Sequence, residues 1–261
     1  MLIIVYLSIA LGATLLGAIT GIGGGVLMKP VMDLLGDYDA ATIGVLSAGT
    51  LFTMSAVSCV RQLPQQKGIS IARLLLLGAG SVAGGLAGQF LFEAVRSSAA
   101  NDSLVKIVQN GTQAAILAVI FVYMLCKDRV GSLHLRNFVF YPLAGCALGV
   151  VSAFLGVGGG PINVAALSLL FGMDVKKAGF CSIAVILFAQ ASKLVTVAVQ
   201  TGYAAFDLSV LPYMCIGAVV GALTGSWIKK KIREQTVVWL FNGAQLLIIG
   251  ICIFNIIRLA V

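Results

Sequence analysis

The chain has 261 residues, 60% of them hydrophobic and 10% charged, whereas a soluble domain of this size carries about a quarter charged residues. Long continuous apolar runs, each of roughly 18 residues or more, exclude a transmembrane β-barrel, whose strands would show as short alternating segments. The net charge of +8 does not indicate nucleic-acid binding, because the basic residues sit in a few short loops where they set membrane topology.

Ten elements follow in chain order. The first half reads as 2–20, a short 26–36, then 40–60, 70–92 and 104–126. The second reads as 138–155, a short 161–171, then 176–199, 207–227 and 236–257. Segment 2–20 lacks the basic start of a signal peptide and opens a repeat, so it counts as structure. The short elements, of about eleven residues, would reach roughly 17 Å, little more than half of a ~30 Å hydrocarbon core. They read as half-helices, joined to the preceding segments by glycine runs. Whether 2–20 and 138–155 cross fully or form re-entrant hairpins stays open, since both give the same topology.

The two halves are copies of one unit. A shift of 135 lays "GIGGG" (21–25) on "GVGGG" (156–160), and the register continues: Asp39 meets Asp174, Gly44 meets Gly179, and Ser47 meets Ser182. Gly80, Gly84 and Gly88 match Gly217, Gly221 and Gly225, and "NGTQ" (110–113) matches "NGAQ" (242–245). The reading is a first transmembrane repeat over 1–127, a cytoplasmic linker over 128–135 and a second transmembrane repeat over 136–261. Basic residues cluster at Arg61, Lys67 and Arg73, in the linker at Lys127, Arg129 and Arg136, and at Lys229, Lys230, Lys231 and Arg233. The positive-inside rule puts those three loops in the cytoplasm and both termini outside. Five elements per half then force the copies to insert upside down relative to each other. The fold class expected is an all-α polytopic membrane protein of two inverted repeats, each with a glycine-broken re-entrant half-helix, an arrangement typical of secondary transporters.

Non-helical backbone persists at membrane depth only where protein buries it or a cavity adjoins it. Two glycine breaks from opposite faces would meet near the midplane, each followed by helix-start amides that carry partial positive charge. The candidate anion site is therefore Gly23, Gly24, Gly25 and Val26 in the first break, with Gly158, Gly159, Gly160 and Ile162 in the second. Pro161 fits the first turn of its half-helix. Lys29, whose counterpart is Val164, either strengthens that site or snorkels to an interface. Asn163, Ser47 and Ser182 are further candidates, although Ser47, Thr50 and Ser182 could equally hydrogen-bond between helices. Lys193 reads as a snorkelling residue and Gln190 as a weaker candidate. The repeated amides Asn110, Gln113, Asn242 and Gln245 and the two glycine ladders read as structural.

No cofactor or metal is expected: the six cysteines are scattered through apolar segments without a CxxC pair, and His134, the single histidine, lies in the linker. No nucleophile–base pair lies in the spans, which argues against an enzyme. Asp33 is the one carboxylate inside a predicted element away from its ends, too little for a proton relay.

The duplicated "GxGGG" breaks, each followed by a half-helix and a span, resemble the TauE/SafE family of sulfite and organosulfonate exporters over essentially the whole chain. The resemblance implies an inner-membrane permease for small sulfur-containing anions such as sulfite. An anion channel of the same fold and a non-transporting membrane assembly factor are the alternatives. The partners expected are the anion and the lipid bilayer, with no nucleic acid.

Overall fold

The computed structural model describes residues 2–65, 70–99, 101–135 and 137–260. Those residues form ten α-helices and two single 3-10 turns. The first half comprises α1 (Leu2–Thr20), α2 (Gly25–Leu35), α3 (Ala40–Gln62), α4 (Ile71–Ser98) and α5 (Asp102–Val130). The second comprises α6 (Phe140–Leu155), α7 (Gly160–Phe171), α8 (Val175–Gln200), α9 (Leu211–Lys231) and α10 (Glu234–Ala260). Seven of the ten are long and apolar enough to cross a membrane; α2, α6 and α7 are shorter.

The predicted elements all form, with shifted ends. α4 runs on to Ser98 and α5 to Val130, so the first residues assigned to the linker are helical. Charged side chains do not stop a helix once it has left the apolar region, since most are good helix formers. α9 starts late because Asp207 accepts from the Ser209 amide in a turn and Pro212 sits in the first helical turn. Matched aspartates start α3 and α8: Asp39 accepts from the Thr42 amide and Asp174 from the Lys177 amide. Lys67 and Arg136 lie outside the described residues, as do the side chains of Lys127 and Arg129.

The two halves interlock. α4 runs along α6, and α1 along α9. A glycine ladder makes each contact. Gly80, Gly84 and Gly88 face the carbonyls of Pro142, Cys146 and Val150, while Gly217, Gly221 and Gly225 face those of Leu7, Leu11 and Leu15. A Cβ on Gly84 would overlap the Cys146 carbonyl oxygen, so a larger residue would push the helices apart. Lipid tails are as apolar as leucine, so helices in a membrane gain most from such close packing. The remaining pairings follow the same exchange: α3 packs on α9 as α8 packs on α4, and α2 on α10 as α7 on α5, while α3 meets α8 and α5 meets α10.

Side-chain contacts define two ends. At one, the Tyr6 hydroxyl donates to Asp37 at 3.0 Å, so α2 returns to the end at which α1 begins. The Ala40 amide donates to Asp102, Lys106 to the Tyr38 carbonyl, and Arg258 to the Leu34 carbonyl, which brings the starts of α3 and α5 and the close of α10 to the same end. At the other end Tyr141 stacks on Phe171 at 4.3 Å, closing α7 back on the start of α6. There Arg73 lies over Tyr141, Lys176 donates to the Ile232 carbonyl, and the linker amides of Leu133 and Leu135 donate to the carbonyls of Leu169 and Leu170. Those linker bonds satisfy carbonyls in the last turn of α7 that lack a helical donor. This second end carries Arg61, Arg73, Lys176, Lys177, Lys229, Lys230, Lys231 and Arg233 and is the basic end.

Candidate functional site

The two glycine runs place matching residues at positive φ. Gly21, Gly23 and Gly24 have φ of 83°, 79° and 58°; their counterparts Gly156, Gly158 and Gly159 have 67°, 80° and 61°. L-residues rarely adopt such angles, so three glycines per run are set by conformation. The fourth is set by space. A Cβ on Gly25 would lie 2.6 Å from the Val157 carbonyl oxygen, and one on Gly160 would overlap the Ile22 carbonyl oxygen. The two breaks therefore cross in direct contact, and the N-termini of α2 and α7 meet inside the bundle.

Of the residues predicted for a site, Gly23, Gly24, Gly25, Gly158, Gly159 and Gly160 share this crossing. Ser182 joins both breaks: its hydroxyl lies 2.9 Å from the Gly21 carbonyl and 3.4 Å from that of Gly160. Ser47, its counterpart, is fully buried with no hydrogen-bond partner. Asn163 reaches back towards the Gly158 carbonyl at 3.5 Å and leaves its own Oδ1 unpartnered. Val26 turns into the core, and Ile162 packs partly buried against it. The glycines do not face open space. A Cβ on Gly23 would overlap Ile186, and one on Gly158 would come within 3.0 Å of Leu51. Leu51 and Ile186 occupy matching positions in the repeat, are fully buried, and cover the crossing.

Lys29 does not snorkel. It is 1% exposed, and its ammonium lies 2.5 Å from Gln109 Oε1 and 4.0 Å from Asp33. Asp33 in turn accepts from Asn110 at 3.0 Å, and the Gln109 amide donates to the Phe154 carbonyl. Three helices thus hold this cation at the close of α6. Gln109 was absent from the sequence-derived site, because the repeat pointed to its neighbours Asn110 and Gln113 instead.

Lys193 corrects a second expectation. It is 2% exposed and points inward, its Nζ 3.1 Å from where a Cβ on Gly44 would stand. Its counterpart by the 135-residue shift, Ser58, carries no charge, so repetition gave no signal for it. One turn earlier on α8, Gln190 is fully buried and donates towards Ser152 at 3.4 Å.

The amides taken as structural divide. Pro30 has no N–H, which frees the Val26 carbonyl inside α2; Gln113 supplies the missing donor at 2.8 Å. Asn255 donates to the Pro30 carbonyl at 2.8 Å. α7 has no proline at the matching position, and Gln245, the counterpart of Gln113, is buried with neither amide atom partnered.

At the basic end a polar cavity of about 220 Å³ is lined by Arg73, Tyr141, Asp174, Lys177 and Cys181, among others. A larger cavity of about 670 Å³, lined by Ala56, Val57, Val60, Arg61, Leu223 and Lys230, is an apolar groove on the outside of the bundle and does not reach the crossing. No group of three or more histidine, cysteine, aspartate or glutamate side chains suited to a metal occurs among the described residues.

Seven membrane-length helices among the described residues, around a crossed pair of helix starts, define a multi-pass membrane protein. The model of the sulfite exporter TauE/SafE family matches residues 6–252, and the chain belongs to that family. It is therefore a membrane protein of a family of exporters. No curated protein and no solved structure matches the chain.

Proposed function

We propose that this chain exports a small sulfur-containing oxyanion, of the sulfite or organosulfonate kind, by alternating access between its two repeats. The observation that carries this reading is the crossing of two glycine-broken helix starts beside the buried cations Lys29 and Lys193. Helix-start amides and ammonium groups both attract anions, and the low dielectric of the interior strengthens the attraction. The cavity at the basic end, with Arg73 and Lys177 in its wall, is the entrance from the cytoplasm.

Asymmetry between the breaks supports the alternation. At the basic end Gly21 and Gly179 are in contact, so that a Cβ on Gly21 would overlap the Gly179 backbone, and Ser182 bonds the Gly21 carbonyl. At the other end the matching pair stands apart, with a Cβ on Gly156 3.8 Å from Gly44 Cα, and Ser47 is unbonded. Exchange of these two arrangements, with Leu51 and Ile186 moving aside, would open one face as the other closes. Inverted repeats supply such a pair of states, since each half can adopt the shape of the other.

Binding is tested with purified protein and a panel of sulfite, thiosulfate, sulfate, taurine and sulfoacetate. A ligand at ten times its Kd stabilises the folded state by about 1.4 kcal/mol. Sulfite or a sulfonate is expected to raise the melting temperature, and a flat response to the whole panel would point to the assembly-factor alternative.

A further inference from the structure

Lys29 and Lys193, two of the buried lysines, differ in how their charge is met. Lys29 has Gln109 as an acceptor and Asp33 as a counter-charge. Lys193 forms neither a hydrogen bond nor an ion pair among the described residues; the Phe92 ring lies 5.8 Å away. Glu93, the carboxylate that faces it from α4, is engaged with Gln89 at 3.2 Å and Arg96 at 3.7 Å. A buried cation left in this state is costly unless something anionic joins it.

The space beside Lys193 belongs to the second glycine break. A Cβ placed on Gly156 would find Lys193 Nζ at 3.5 Å, Lys29 Cε at 3.7 Å and Gly44 Cα at 3.8 Å. These are ordinary contact distances, so a single carbon fits here as the groups stand and a larger oxyanion only as they part, whereas the matching position at Gly21 is filled by Gly179. Ser47, buried with an unbonded hydroxyl, lies three residues after Gly44 and hence on the same face of α3. Charge adds up simply. Lys29 cancels with Asp33 and Arg96 with Glu93, and Lys193 leaves one net positive charge.

Resting on the reading of the chain as an anion carrier, we propose that Lys193 is the counter-charge of the transported ion, holding a singly charged oxyanion beside Gly156. Lys29, pinned by Asp33 and Gln109, shapes the far wall, and the Ser47 hydroxyl donates to the same anion. The site is off-centre, between the crossing and the end opposite the basic one.

The test compares wild-type protein with Lys193→Met in anion-dependent melting, using methanesulfonate as the monoanion and sulfate as the dianion. Lys193→Met is expected to melt no lower than wild type without anion, because it removes an unpaired buried charge. Its apparent affinity for methanesulfonate is expected to fall by on the order of tenfold or more. Wild type is expected to bind methanesulfonate more tightly than sulfate. Equal binding by wild type and Lys193→Met overturns the role of Lys193 while leaving the carrier reading intact, whereas a wild type stabilised by no anion overturns the carrier reading itself. Tighter binding of sulfate overturns the single-charge assignment. Should Lys193→Met yield no folded protein, Lys193→Arg and Lys193→Gln decide: binding kept in the first and lost in the second supports the proposal, and equal binding in both overturns it.

Discussion

Individual residues explain why the chain tolerates chemistry that a lipid-facing helix would reject. Proline inside α2 looks like a fault until Gln113 is placed opposite the carbonyl it frees. The pairing makes a sharp prediction. Gln113→Leu is expected to cost about 1–3 kcal/mol, the penalty for a buried carbonyl without a donor. In a Pro30→Ala background, where the backbone N–H returns, the same substitution is expected to cost less than about 1 kcal/mol. Thermal or denaturant unfolding of the four proteins measures this, and an equal cost in both backgrounds would show that Gln113 serves another purpose. Lys193 carries the residue-scale lesson for the sequence. Its distance from the end of α8 was legible, but a lysine seven residues from a helix end can turn outward or inward. Only the packing of Gly44, which leaves space for its ammonium, decides between them.

Among elements, the most informative contrast is between the two glycine breaks. The same sequence pattern, with positive φ at matching glycines, produces one contact that is closed and another that is not. Ser182 holds the closed one through the Gly21 carbonyl. A hydrogen bond of this kind is worth about 0.5–1.5 kcal/mol, so Ser182→Ala is expected to shift the equilibrium roughly two- to tenfold towards opening at the basic end. Cys181, 1% exposed at the foot of the polar cavity, reports the shift. In a protein whose other five cysteines are replaced, thiol labelling at Cys181 is expected to quicken by that factor in Ser182→Ala. An unchanged rate would remove Ser182 as a latch. Element boundaries themselves were largely legible from hydropathy, because apolar runs and glycine caps mark them directly. The coverage of the crossing by Leu51 and Ile186 was not, since nothing in a leucine's sequence context says which backbone it will shield.

At the scale of the whole molecule, charge is sorted between two ends, and the helix pairings exchange across the repeat. The family was visible in the sequence, because it rests on glycines whose roles are steric and local. The interlocking was hidden: a ladder such as Gly80, Gly84 and Gly88 announces a close neighbour but does not say that α6, from the other half, will be that neighbour. If the basic end faces the cytoplasm, a phosphatase reporter fused to either terminus is expected to be active outside the cell, and one inserted at 131–135 inactive. The reverse pattern would invert the direction of every step proposed. An anion that leaves a cell with a negative interior gains about 2.3 kcal/mol per charge per 100 mV, so export in this orientation needs no coupled ion. The central claim is that an anion is carried, not merely bound or allowed through. Counterflow tests it most directly: liposomes containing the purified protein are loaded with unlabelled sulfite and given a trace of labelled sulfite outside. Labelled sulfite is expected to enter faster with the internal load than without it, to saturate with concentration, and to accumulate transiently; entry that is linear in concentration and indifferent to the load would contradict carriage.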